Sequence, residues 1–150
     1  MRMVLQRVSQ AEVTVDHIVT GRIAHGLVVL LGIEKGDSQT ELQWAAQKTA
    51  ELRIFNDDSG KMNRSLQDVG GGVLVISQFT LLGDARKGRR PSYTDAAEPE
   101  QAIPLYEYYV QCLRKMNIRT ETGIFGAKMS VSLVNEGPVT LIIDRNSSYK

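Results

Sequence analysis

Two short stretches restrict the architecture of this 150-residue chain more than any others: Gly26-Leu27-Val28-Val29-Leu30-Leu31-Gly32 and, after Gly70-Gly71-Gly72, Val73-Leu74-Val75-Ile76. Neither contains a polar side chain. A strand with one wet face alternates apolar and polar residues, so a strand without alternation has to be covered on both sides. Other elements of the chain must supply those covers. With 42% hydrophobic and 23% charged residues, the chain has the composition of an ordinary globular domain and needs no disulfide or structural metal. No internal repeat or linker divides it, and residues 1–150 are read as one domain.

The rest of the pattern supplies helices and wet strands. Val4, Gln6 and Val8 oppose Leu5 and Arg7, and Glu12, Thr14 and Asp16 alternate with Val13 and Val15. Asp16-His17 then leads towards Thr20-Gly21 as a hairpin. Asp37 or Ser38 can cap a helix, with Glu41 at capping-box spacing from Ser38. Leu42, Ala45, Ala46, Thr49 and Leu52 give that helix its buried face, and residues 56–60 break the pattern as a loop. Residues 83–99 are polar and basic, a long loop. Pro99 or Pro104 opens a second helix, whose buried face is Ala102, Leu105, Tyr106, Tyr109, Val110 and Leu113. Gly123 to Gly126 reads as a turn or bulge. Met129, Val131 and Leu133, then Val139, Leu141 and Ile143, alternate as strands on either side of Gly137-Pro138. The order is strands, helix, strand, helix, strands. It predicts a single-domain α+β fold, with a mainly antiparallel, curled, barrel-like sheet over two main helices.

Composition also excludes function classes. A net charge of +1 gives no global field for a polyanion, so any nucleic-acid contact must be a local patch. The lone Cys112 cannot form an intramolecular disulfide, which fits a reducing compartment. The first residues, with Arg2, Gln6 and Arg7, lack the apolar stretch of a signal peptide. The longest fully apolar run, Leu27 to Leu31, is too short to cross a membrane. A cytoplasmic location with no membrane partner is expected.

The usual catalytic sets are incomplete. His17 and His25 have Asp16 and Ser9 as nearest partners and form no triad spacing. Two histidines and one cysteine would leave a zinc ion to carboxylates at unremarkable spacings. Cys112 lies in the second helix and reads as a small core residue. The glycine triplet lacks the lysine of a phosphate loop. No metal and no cofactor is expected.

Three loops remain. Ser77-Gln78-Phe79-Thr80-Leu81 leaves a buried strand, where backbone N–H groups freed from the ladder suit a developing oxyanion; alternatively Ser77 and Thr80 only satisfy a turn. Gly137-Pro138 is either an ordinary turn or a cis pair that projects two carbonyls in a fixed direction. Arg86-Lys87-Gly88-Arg89-Arg90-Pro91-Ser92-Tyr93 is either a solvated basic loop or a phosphate-binding segment with Tyr93 stacking on a base.

Together these segments resemble the D-aminoacyl-tRNA deacylase family, also called D-tyrosyl-tRNA deacylase. The resemblance spans the chain. It runs from Met1-Arg2-Met3-Val4-Leu5-Gln6-Arg7-Val8 through Ser77-Gln78-Phe79-Thr80-Leu81, Gly88-Arg89-Arg90-Pro91-Ser92-Tyr93 and Phe125-Gly126-Ala127-Lys128-Met129 to Asn135-Glu136-Gly137-Pro138-Val139-Thr140. The family often has Asp where this chain has Glu136. The resemblance implies hydrolysis of the ester in D-aminoacyl-tRNA, and of glycyl-tRNA, which a steric filter cannot reject. It implies a homodimer with active sites at the subunit interface. Ser77, Gln78, Phe79 and Thr80 would then be catalytic, with an oxyanion hole at the N–H groups of Phe79 and Thr80. Gly137, Pro138, Phe125 and Met129 would bind substrate and select its chirality, and Arg86, Lys87, Arg89, Arg90 and Tyr93 would hold the tRNA. With no side-chain base in view, the tRNA 2′-hydroxyl is expected to assist a water; Thr80 as nucleophile is the rival. A non-catalytic tRNA-binding module and a domain that binds a free D-amino acid are the competing functions.

Overall fold

The structure, a computed structural model, describes residues 1–145. The sheet is organised around β1 (Arg2–Val15), which is long enough to serve two neighbours on one edge. Its first half runs antiparallel to β3 (Gly26–Gly32), from Arg2↔Gly32 to Val8↔Gly26, and its second half pairs with β2 (Ile18–Ile23). Asp16 and His17, at φ 49° and 65°, form the β1–β2 turn with the positive φ angles that a tight two-residue hairpin demands. Along the other edge of β1 lies the last strand, Ser130–Asp144.

Two parallel pairings complete the sheet. From β3 the chain crosses through α1 (Gln39–Glu51), the small β4–β5 hairpin (Phe55–Asn56 and Met62–Arg64) and the one-turn α2 (Leu66–Val69) to β6 (Gly72–Ser77). From β6 it crosses through α3 (Pro99–Lys115) to β7 (Thr120–Thr122). Parallel neighbours require such crossovers. At the start of the β3–β6 pair a Cβ on Gly26 would lie 1.9 Å from the carbonyl oxygen of Gly72, so glycine is what lets the strands enter together. The sheet curls until β2 touches β7, with the carbonyl of Thr122 2.7 Å from where a Gly21 Cβ would stand. The last strand is β8.

The doubly apolar strands are now explained. Leu27, Val29, Leu31, Val73 and Val75 face the helices, in a cluster with Leu42, Ala45 and Ala46 of α1 and Tyr106, Tyr109 and Leu113 of α3. Val28, Leu74 and Ile76 face the other way, into a second cluster with Val8, Val13 and Ile23. Ser38 caps α1: its Oγ accepts from the N–H of Thr40 at 3.2 Å, while the Glu41 carboxylate accepts from the N–H and Oγ of Ser38 at 2.9 and 2.7 Å. Pro99 occupies the first turn of α3, and Pro104 stands inside the helix on its exposed side. The Tyr109 hydroxyl pairs with Thr49 Oγ1 at 2.7 Å, joining the two main helices. The Tyr106 hydroxyl donates to the carbonyl of Val75 at 2.8 Å, fastening α3 to β6 just before Ser77. Burial pushes both phenols well above the usual tyrosine range.

Candidate active site

At Ser77 the chain leaves the sheet. The N–H of Gln78 makes a last contact with the carbonyl of Leu31 at 2.8 Å, and the backbone then coils into a 3-10 turn, Phe79–Leu82. The carbonyls of Gln78 and Thr80 accept from Leu81 and Gly83 at 3.2 and 3.0 Å. As the opening N–H groups of that turn, Phe79 and Thr80 have no partner behind them, and neither donates to a protein acceptor among the described residues. The Gln78 amide donates to the Thr80 hydroxyl.

Ser77, Gln78 and Phe79 form one wall of a cavity of about 520 Å³. Phe125 and Met129 are part of the same lining, as are Tyr93 and Glu98. Phe125 is held edge-on against Tyr106, ring centroids 5.7 Å apart. Most of the remaining lining is apolar, from Leu31, Ile33 and Ala102 among others. Among the described residues Glu98 is the one carboxylate in the lining, and histidine, lysine and arginine are absent from it. Thr80 lies outside the lining and is exposed.

Gly137-Pro138 is built differently from the expected turn between two strands. One strand, β8, runs through it. Its register on β1 jumps from Gln6↔Thr140 to Val8↔Asn135, so residues 136–139 bulge out opposite Arg7 alone. Asn135 closes the neck of the bulge, its Nδ2 donating to the carbonyls of Arg7 and Val139, both at 3.0 Å. The Gly137-Pro138 bond is cis, and Gly137 sits at φ 113°. Both residues are exposed and neither lines the cavity of its own chain.

Residues 4–144 match the D-Tyr-tRNA(Tyr) deacylase family. A D-aminoacyl-tRNA deacylase of Thermus aquaticus is 57% identical over 144 residues, 96% of this chain and 95% of that protein. One from Desulfitobacterium hafniense (strain Y51) is 54% identical over 149 residues, covering 99% and 100%. The chain belongs to the D-Tyr-tRNA(Tyr) deacylase family. Solved structures agree in fold. A c-Myc DNA unwinding element binding protein superposes with a TM-score of 0.91 at 39% identity, covering 98% of this chain and all of that one. A probable eukaryotic D-amino acid tRNA deacylase superposes at 0.81 with 18% identity, covering 96% and 98%.

In this deacylase-family chain the basic segment is a pinned loop. Asp84 and Ser92 exchange backbone hydrogen bonds at 2.7 and 2.9 Å, closing its base. Arg86 folds back on Asp84 through two contacts at 2.9 and 2.7 Å, and its guanidinium holds the Asp84 carboxyl down at about 2. Lys87, Arg89 and Arg90 are exposed, with no ion-pair partner among the described residues. Tyr93 leads from this loop to the cavity.

Two contributors were not singled out from sequence. Glu98 precedes α3 as an ordinary surface acid, and nothing in its local pattern marks it. Arg7 is only 5% exposed. Its Nη1 donates to the carbonyl of Ile54 at 2.8 Å and to Asn56 Oδ1 at 3.1 Å, and its Nη2 lies 2.8 Å from the position of a Gly137 Cβ. A lone arginine between Gln6 and Val8 in a strand was the available signal. His17, in the hairpin turn, and His25 are both outside the cavity.

Proposed function

We propose that this chain hydrolyses the ester of D-aminoacyl-tRNA, releasing the free D-amino acid and the tRNA, as cytoplasmic proofreading of translation. The observation that carries this reading is the pair of uncommitted N–H groups, Phe79 and Thr80, beside a mostly apolar cavity of about 520 Å³. A terminal aminoacyl-adenosine offers an aromatic base and an ester carbonyl, and the cavity offers aromatic and apolar walls with oxyanion donors at one edge. Each such donor contributes on the order of 3 kcal/mol to an acyl-transfer transition state.

Among the described residues the lining holds no histidine or lysine, and in this reading the substrate's own 2′-hydroxyl activates the water, with the Glu98 carboxylate as the side-chain alternative. Thr80 is the weaker candidate: its hydroxyl has no positioned base and stands outside the lining. In this reading the protein is a homodimer, and Gly137-Pro138 of a second copy closes the cavity as the chiral gate. The outer edge of β8, unpaired among the described residues, and its exposed Val131, Val134 and Ile142 support that assembly. A filter that crowds only the L side-chain direction would leave glycyl-tRNA as a substrate too.

The test is to incubate the protein with D-tyrosyl-, L-tyrosyl- and glycyl-tRNA and follow ester loss. D-selective turnover with cleavage of the glycyl ester is expected. Single turnover on tRNA ending in 2′-deoxyadenosine should be slowed severely; a wild-type rate there overturns the RNA-assisted step. The second reading, nucleic-acid binding without chemistry, draws on the exposed Lys87, Arg89 and Arg90 and on the solved relative's name as a DNA unwinding element binding protein. It predicts binding of both esters with release of neither.

A further inference from the structure

His25 has no part in the cavity, yet it reaches the bulge. It follows β2, and its Nε2 stands 3.1 Å from Oε2 of Glu136, the residue directly before Gly137-Pro138. The same oxygen lies 3.6 Å from Nε of Arg7. The imidazole packs edge-on against Phe55 of β4 with centroids 5.2 Å apart, and the His25 carbonyl accepts from the N–H of Gly72 at 3.1 Å. Both ring and backbone of His25 are thereby anchored to the body of the fold.

The bulge itself has few means of holding its place. Residues 136–139 have no ladder partner on β1. Glycine and proline offer no polar side chain, and Asn135 fastens only the neck. Glu136 carries the bulge's single charged side chain. Arg7 is buried, its Nη1 held by Ile54 and Asn56, and its Nε, which has no hydrogen-bond partner among the described residues, faces the Glu136 carboxylate as a fixed charge at ion-pair distance. On the β4–β5 hairpin, Arg64, the register partner of Phe55, is engaged with Asp58 at 2.9 Å. Among the described residues His25 is the one side chain within hydrogen-bond distance of the Glu136 carboxylate, and it meets the same oxygen as the body-held Arg7 charge.

We propose that His25, acting through Glu136, is a positioning residue for the Gly137-Pro138 bulge and sets how strictly that bulge separates substrate enantiomers. The enantiomer half rests on the deacylase reading; the positioning half does not. The interaction is half exposed, so its effect is a bias on the bulge and not a lock.

The experiment compares wild type, His25→Phe, Glu136→Gln and the double variant. His25→Phe keeps a ring against Phe55 and removes Nε2. Amide hydrogen exchange at Glu136, Gly137 and Val139 should accelerate by about two- to fivefold in either single variant, and no further in the double. Exchange in β6 should not change. The ratio of D- to L-tyrosyl-tRNA hydrolysis should fall by a similar factor, through a lower KM for the L ester with kcat for the D ester retained. Unaltered exchange in His25→Phe, or additive effects in the double variant, overturns the positioning role. Faster exchange with an unaltered D-to-L ratio overturns the enantiomer role. If wild type cleaves neither ester, the deacylase reading and the enantiomer role fall together, while the exchange data still decide the positioning.

Discussion

Phe79 and Tyr93 meet edge to face, ring centroids 5.3 Å apart and planes at 72°, joining the end of β6 to the base of the basic loop. Each ring is otherwise open: Phe79 is 55% exposed and Tyr93 39%. Tyr93 also lies over the turn that follows, with its ring 2.8 Å from the position of a Gly83 Cβ. Two solvent-facing rings beside a cavity give an unpaired base a surface to stack on.

Tyr93→Ala is therefore expected to raise KM for D-tyrosyl-tRNA by about 5- to 160-fold, the range of losing one stacked base. Tyr93→Phe should stay near wild type, since stacking needs the ring and not the hydroxyl. Steady-state kinetics on both variants at fixed salt check this. A fall in kcat at constant KM would instead assign the residue to the chemistry.

The four cations of the basic loop are not equivalent. Arg86 is neutralised by Asp84, and the low Asp84 pKa of about 2 keeps that clip charged at any working pH. Lys87, Arg89 and Arg90 are left without an ion-pair partner among the described residues. Removing Arg89 and Arg90 together should reduce the slope of log affinity against log salt by about 1.4 for contacts to single-stranded RNA. Arg86→Ala should leave the slope nearly unaltered. Binding titrations of tRNA across a salt series decide the point; equal slopes for all variants would remove the loop from the RNA contact.

Gly137 sits at φ 113°, and a Cβ there would lie 2.8 Å from Nη2 of the buried Arg7. Gly137→Ala should cost about 1–3 kcal/mol, from the backbone conformation and the collision together. A drop in Tm of about 3–10 °C is expected, together with reduced discrimination against L-tyrosyl-tRNA. Thermal denaturation followed by ester hydrolysis measures both. A wild-type Tm would mean that Arg7 and the bulge move apart freely.

What the sequence made legible is what local chemistry decides. The doubly apolar strands announced two covered faces, and Val28 and Val29 do point into different clusters. Ser38 and Glu41 announced their helix because a capping box is complete within four residues. The hairpin, the α+β order and the face of α3 followed from periodicity. Elements set by distant partners were hidden. Thr120-Glu121-Thr122 has no apolar alternation and is a strand only because β6 lies beside it. The bulge in β8 looks locally like a turn, and what distinguishes the two is the register of β1, more than a hundred residues earlier. The cavity gathers Ser77, Gln78, Phe79, Tyr93, Phe125 and Met129, segments that the resemblance brought together and no single spacing did. The role of Arg7 is hidden in the sequence because its acceptors on Ile54 and Asn56 lie nearly fifty residues away.

The capping box makes a prediction about acid stability. Hydrogen bonding from the Ser38 side chain, aided by the Ser38 N–H, holds the Glu41 carboxyl below the usual glutamate range. A carboxyl lowered on folding favours the fold while it is charged. Its contribution is complete above the ordinary glutamate range and fades as pH falls through the lowered value. Glu41→Gln, which keeps an acceptor but no charge, should therefore destabilise the protein at pH 7 by about 0.5–1 kcal/mol, the scale of a weakened cap. The gap between the two proteins should narrow steadily as the solution is acidified below the ordinary glutamate range. Urea denaturation at a series of pH values gives both curves. A gap that stays constant into strong acid would show that Glu41 acts through packing and not through its charge.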